Sequence, residues 1–339
     1  MPATTPLLRF GQHAEATTWF LDGTDLAPLP SPEPGGVGAA GWLPAPSGGE
    51  PAPTPTAPPA DAGPVLLAAG GVAHRPGGPG GGPAHVFDVL GDWNSVKNAQ
   101  LVSAAALSVR LDGFVHADLD LGRGDPSSGS VVELVGAKRG NLATGAGDDR
   151  VWIAMATNDG LWGNTFRVST GAGDDAVALS GLAPWGAGSP WDAPDPTYAA
   201  VALDATGRHQ RSVVDLGAGD DAFRGHGSRD TVLGGAGDDT IRGEGDDDRL
   251  SGGAGADRFV YAPAPAPGLG GVWESGRDAI TDFDAAGGDR LVFLGRGLSA
   301  ADLQVSAVAG VGTLVRFTGG SVLLEGVAAF SASDALFPG

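Results

Sequence analysis

Residues 216–260 read LGAGDDAFR, GHGSRDTVL, GGAGDDTIR, GEGDDDRLS and GGAGADRFV, five consecutive nine-residue units without an insertion. Position six is always Asp (Asp221, Asp230, Asp239, Asp248, Asp257), and position eight is always apolar (Phe223, Val232, Ile241, Leu250, Phe259). A fixed period of this kind marks a repeat architecture in which each unit stacks on its neighbours. Two isolated copies stand upstream, TGAGDDRVW with Asp149 and Val151, and TGAGDDAVA with Asp175 and Val177. Glycine at positions one, two and four opens φ values closed to other residues, which folds carbonyl oxygens inward in a tight loop. The Asp adds an anionic oxygen, and carbonyls with carboxylates make a hard, all-oxygen set that suits Ca²⁺. The apolar eighth residue falls on a short strand and points between two sheets. Nine residues are then half a coil, and alternate units stack on the same side. That places a cation site between units one and three, two and four, and three and five.

This pattern, GGxGxDxUx, resembles the nonapeptide of the RTX (repeats-in-toxin), hemolysin-type family, whose repeats fold as a parallel β-roll with Ca²⁺ between successive loops. The resemblance implies carboxylate ligands at Asp221, Asp230, Asp239, Asp248 and Asp257. It implies carbonyl ligands at residues such as Gly217, Gly219, Gly235, Gly237, Gly253 and Gly255, with Asp149 and Asp175 as the upstream counterparts. Four positions where glycine is expected carry His226, Ser228, Glu244 and Asp246 instead, so the second and fourth units are expected to bind less tightly. The doubled Asp220 and Asp238, and Asp246, read as solvated loop charges. The flank GRDAITDFDAAGGDRLVFLG resembles the segment that closes such rolls, with Asp278 and Asp282 as further ligands. The terminal SVLLEGVAAFSASDALFPG resembles the uncleaved signal read by type I secretion exporters.

Outward from the repeat, the chain divides into a short start (1–26), a Pro/Gly-rich linker expected to be disordered (27–84), and an irregular β-roll-like domain (85–215). The nonapeptide roll (216–260) and a C-terminal cap with secretion signal (261–339) complete it. The linker holds 15 of the 26 prolines, each removing a backbone donor, so no regular element is expected there. In SAAALSVRLDGFVHADLDLG apolar and polar residues alternate with the period of half-buried strands, with Asp112-Gly113 as a turn between two of them. GTLVRF and SVLLEGV, separated by Thr318-Gly319-Gly320, read as a hairpin. Asp149 and Asp175 are 26 residues apart and Asp175 and Asp221 are 46, neither a multiple of nine, so irregular coils are expected between them. The fold class is all-β.

Composition narrows the function. Acidic residues outnumber basic ones 40 to 20, which argues against a nucleic-acid partner held by phosphate contacts and invites cations. Residues 215–260 alone carry eleven carboxylates against five Arg. Their repulsion, and the backbone entropy of nine residues per modest apolar side chain, oppose folding until a cation neutralises them. Cys is absent, which removes disulfides and thiolate chemistry. No apolar run approaches a membrane span, and the start lacks the basic and apolar regions of a cleaved signal peptide. The six His are scattered and none forms H-E-x-x-H, no G-x-S-x-G elbow occurs, and no catalytic residue is assigned. Arg123-Gly124-Asp125 and GVGAAG at 36–41 match short motifs only as letters.

The expectation is therefore a secreted, extracellular or cell-surface calcium-binding protein. It leaves through a type I exporter, folds on meeting calcium outside, and serves a structural or adhesive role through surface glycans or self-association. The alternative is a polysaccharide-binding or polysaccharide-modifying enzyme or accessory module, with Trp162, Trp185 and Trp191 available to stack on sugar rings.

Overall fold

A computed structural model of the chain describes residues 7–11, 17–21, 26–28, 67–69, 72–76, 85–89, 98–103, 106–122, 128–155, 165–180, 211–262, 275–295 and 298–338. These residues form strands in two sheets, with two single-turn 3₁₀ segments, Ala300–Asp302 and Ala332–Asp334. From Asn98 to Phe293 consecutive strands alternate between the sheets, so each pair of strands is one coil of a parallel roll. In one sheet, hereafter the first, Thr165–Ala172, Arg211–Ala218, Arg229–Ala236 and Arg249–Ala254 lie side by side in parallel register, with Val168, Val214, Val232 and Leu250 in line. In the second, Val151, Val177, Phe223, Ile241, Phe259 and Leu291 line up across six strands. The eighth residue of every nonapeptide is 0–2 % exposed and points between the sheets, as the periodicity requires.

The interior is one apolar cluster that runs from Phe87 to Ala335. It is narrow through the repeats and wider at the C-terminal end, where Tyr261, Phe293, Phe317 and Phe337 pack ring on ring at centroid distances of 5.0–5.8 Å. The first sheet ends on both sides in antiparallel strands, which cannot template another coil in register. Gln304–Val308, Gly312–Phe317 and Gly320–Glu325 close the first sheet at one end, and Leu7–Gly11, Thr17–Leu21 and Leu26–Pro28 at the other. The second of these closing pairs contains the hairpin read from Thr318-Gly319-Gly320.

Three readings of the sequence change. Asp112-Gly113 does not join a hairpin: Ser108–Asp112 belongs to the second sheet and His116–Asp120 to the first. Both strands need their apolar side on the same core, so they face each other across it, and Phe114, 1 % exposed, fills the corner. Two strands, Leu67–Ala69 and Val72–Pro76, lie inside the supposed linker and pair across Gly70-Gly71, a dipeptide suited to tight hairpins. The remainder of 29–66 and 77–84, the Arg123-Gly124-Asp125 triplet and GVGAAG lie outside the described residues. Finally, nothing in the sheets marks residue 215 as a boundary, because the strand Arg211–Ala218 runs through it and pairs on both sides.

The odd spacings of Asp149, Asp175 and Asp221 have a simple origin. A regular coil takes 18 residues from Asp221 to Asp239. The two upstream coils take 26 and 46, and the excess falls in 156–164 and 181–210, where the chain passes from the second sheet to the first. At the opposite edge, where it passes from the first sheet to the second, the turns that end at Asp149, Asp175, Asp221, Asp239 and Asp257 keep their length.

Candidate metal centre

Each turn at that constant-length edge is built by the Gly-x-Gly of the repeat. Gly235 and Gly237 have φ of 122° and 131°, values that side chains rarely adopt. A Cβ on either would stand 1.9 or 2.0 Å from the carbonyl oxygen of Gly217 or Gly219 in the coil before. Gly253 and Gly255 stack on Gly235 and Gly237 in the same way, and Gly217 and Gly219 on Gly171 and Gly173. Glycine is therefore set twice, by dihedral and by the close approach of successive turns. The six glycines assigned from the sequence lie in one stack with their carbonyls toward the next turn.

The position-six carboxylates form a column along this edge. The backbone N–H of Asp149 donates to Oδ1 of Asp175 at 2.7 Å, and that of Asp175 to Asp221 at 2.7 Å. Asp221 donates to Asp239 and Asp239 to Asp257, both at 2.9 Å, and Asp257 to Asp289 at 3.0 Å. Ser130, which occupies the Asp position one coil earlier, starts the column by donating to Asp149. The other edge carries a shorter column in which Asp230 donates to Asp248 at 2.8 Å and Asp248 to Asp278 at 3.0 Å.

In all of these side chains but Asp289 a single oxygen does the structural work. Oδ2 of Asp149, Asp175, Asp221, Asp230, Asp239, Asp248, Asp257 and Asp278 is buried and has no hydrogen-bond partner. These residues are 0–3 % exposed, so eight carboxyl oxygens sit out of water without a hydrogen bond. Such an arrangement is costly unless a cation completes it. The position-one glycines make room for it: a Cβ at Gly234, Gly243 or Gly252 would lie 2.0–2.3 Å from Oδ2 of Asp239, Asp248 or Asp257.

Titration follows from the same burial. It pushes Asp175 and Asp239 up to about 7 and Asp257 to about 6, aided by the carboxylates above and below. Asp149, Asp221 and Asp230 also rise, and Asp248 and Asp278 rise well above the ordinary carboxylate value, again through burial first. Among the described residues no group of three or more His, Asp or Glu side chains converges on one point. A metal here would draw on one or two carboxylates and otherwise on backbone carbonyls. That donor set fits a hard cation of high coordination number and does not fit zinc.

The two edges differ in what replaces glycine. Glu244 and Asp246 take φ of 71° and 75°, keeping the left-handed turn without glycine. Glu244 is held by Arg224 Nε at 2.9 Å and Arg242 Nε at 2.8 Å, so its charge is compensated within the protein. Asp246 is not the solvated charge its position suggests: its side chain is 9 % exposed and Arg229 stands 3.7 Å away. His226 is buried, and burial pushes its pKa down. Asp220 and Asp238 are exposed, as read, yet they form an outer ladder in which Asp238 N–H donates to Asp220 at 2.8 Å and Ala256 N–H to Asp238 at 2.8 Å.

Of the two flanking candidates, Asp278 joins a column and Asp282 does not. Both oxygens of Asp282 are taken, by Ser251 Oγ and the N–H groups of Gly252 and Gly253. Asp289 went unassigned, although DRLVF at 289–293 mirrors DRFVY at 257–261. It receives Asp257 N–H on one oxygen and Asp284 N–H at 2.7 Å on the other, so it ends the column without a free oxygen.

Residues 224–259 match the family model of the RTX calcium-binding nonapeptide repeat, in four copies. A search of the curated proteins finds no match to this chain. The chain thus carries calcium-binding RTX repeats in a parallel β-roll, and the described coils extend that roll on both sides of the matched residues.

Proposed function

We propose that the roll is a calcium-triggered fold of a secreted protein, and that the ligands are the eight column carboxylates with carbonyls of the adjoining turns, which are Gly-x-Gly along the Asp149–Asp257 edge. The observation that carries this reading is the set of eight buried, unpartnered Oδ2 oxygens in two columns. Calcium, when bound, supplies the positive charge that these oxygens lack. The protein's own residues do the rest: the Oδ1 ladder fixes the spacing of coils, glycines bring carbonyls into each turn, and the apolar eighth residues close the core. The Arg-compensated Glu244 makes the Asp230–Asp248–Asp278 edge the weaker one.

In this reading the chain stays unfolded in low-calcium cytosol, passes through a type I exporter, and winds up outside, where millimolar calcium saturates sites of the extracellular class. It then serves as a structural or adhesive component at the cell surface. Circular dichroism during calcium titration of chelator-treated protein tests the trigger. A cooperative gain of β signal is expected, and a β signal indifferent to chelator rejects it.

A second reading, binding of extracellular polysaccharide, is favoured by the connectivity. Trp93, Trp162, Trp185, Trp191 and Trp273 all fall, in sequence, between a strand of the second sheet and the next strand of the first. The segments themselves lie outside the described residues. Insertions gathered on one side of a repeat fold commonly form its binding side.

A further inference from the structure

The charge of this molecule is sorted by surface. Carboxylates crowd the edges, while one stretch of the outer face of the first sheet, beyond the strand that bears Asp118 and Asp120, carries arginine. Across the strands Arg139–Ala143, Thr165–Ala172, Arg211–Ala218 and Arg229–Ala236, the outward residues include Arg139, Arg167, Arg211 and Arg229 and one acidic residue, Asp215. On a chain of net charge −20, that is a local reversal of sign. The register places Arg139, Thr165, Arg211 and Arg229 in one row across the sheet, with Arg167 and Val213 in the next. Arg229 is engaged by Asp246 and Asp247 at 3.7 and 3.6 Å, which leaves Arg167 and Arg211, on adjacent strands about 4.8 Å apart, as the open cationic forks. Arg167 and Arg211 are exposed and have no carboxylate partner among the described residues. Beside them Val213 and Leu233 are 42 % and 43 % exposed, Val213 in register with Arg167 and Leu233 with Asp215.

We infer that this face binds an acidic polysaccharide, a chain of carboxylate-bearing sugars lying across the strands. Guanidinium forks pair with carboxylates in a planar, bidentate manner. The aliphatic floor at Val213 and Leu233 meets the C–H faces of sugar rings, a contact that a polyphosphate has no use for. A duplex nucleic acid, with a charge every 1.7 Å or so, would also bring its phosphates against the acidic edges. The inference rests on the polysaccharide reading above and adds to it the surface and the chemical class.

The test uses the full, calcium-loaded chain and isothermal titration with a short oligouronate, too short to gel with calcium, and a neutral oligosaccharide of equal length. The oligouronate is expected to bind, more weakly as salt rises, and the neutral oligosaccharide at least about tenfold less tightly. Arg167→Ala and Arg211→Ala should each weaken oligouronate binding about tenfold, the loss of one charge-assisted pair. Circular dichroism with calcium shows whether each variant folds. Should an alanine variant fail to fold, Arg211→Lys keeps the charge and removes the fork, and a loss of several fold is expected. Oligouronate binding that is unchanged in a folded Arg167→Ala/Arg211→Ala double variant overturns the inference, and so does equal binding of neutral sugar; both leave the broader polysaccharide reading standing. Failure of the folded protein to bind any polysaccharide rejects that reading as well.

Discussion

A position-six Asp has two oxygens with separate duties, and conservative changes can divide them. Asp239→Asn keeps an oxygen to receive the N–H of Asp221 and replaces the orphan oxygen by an amide, so the ladder survives while a ligand is lost. Calorimetry should then find at least one fewer calcium and a higher calcium midpoint for folding. Asp238→Asn, on the exposed outer ladder, should leave both nearly unchanged. Gly235→Ala probes the turn: its φ of 122° and the carbonyl 1.9 Å from a built Cβ make it far worse than a surface change. The backbone conformation alone costs about 1–3 kcal/mol, and a rise in the calcium needed for half-folding would report it.

At the scale of a column, stability without metal depends on pH in an unusual direction. These Asp side chains have folded pKa values above their unfolded ones, because burial disfavours the charged form. The folded state therefore binds more protons than the unfolded state between roughly pH 4 and 7, and stability falls as pH rises through that window. The calcium-free roll is expected to gain β structure below about pH 4 and to lose it toward neutrality. Calcium-loaded protein should do the reverse, since protons compete for the same oxygens. Circular dichroism across pH 3–8, with and without chelator, separates the two curves. The edges of each column were only partly legible in the sequence. Asp221 to Asp257 announce themselves by period, and Asp278-Ala279-Ile280 and Asp289-Arg290-Leu291 keep the same Asp and apolar offset but not the Gly-Gly-x-Gly spacing, although Gly276 and Gly287-Gly288 stand just before them. Ser130 and Ser212, buried at the Asp position of their coils, carry no such signal, because serine there is recognisable only from register.

For the whole molecule, a roll is a one-dimensional stack that needs capped ends. The segment 275–338 closes both sheets and contributes Asp278 and Asp289. A chain ending at Tyr261 should therefore fail to fold at calcium concentrations that saturate the full protein, or should associate through its open strands. Sedimentation and circular dichroism at matched calcium would decide between retained folding, which counts against this view of the end, and loss.

From the nine-residue period alone follow the strands, the stacked turns, the inward eighth residue and the oxygen-rich edge, since each is a local consequence of glycine, aspartate and alternation. Tertiary structure settled how far the roll extends. Parallel stacking demands that strands keep register and leaves the length of one set of turns free, so Asp149, Asp175 and Asp221 stand in one column although 26 and 46 residues separate them. It also decided which carboxylate oxygens are left facing nothing and that arginines distant in sequence share a face, for both depend on neighbours that only the coiling brings together.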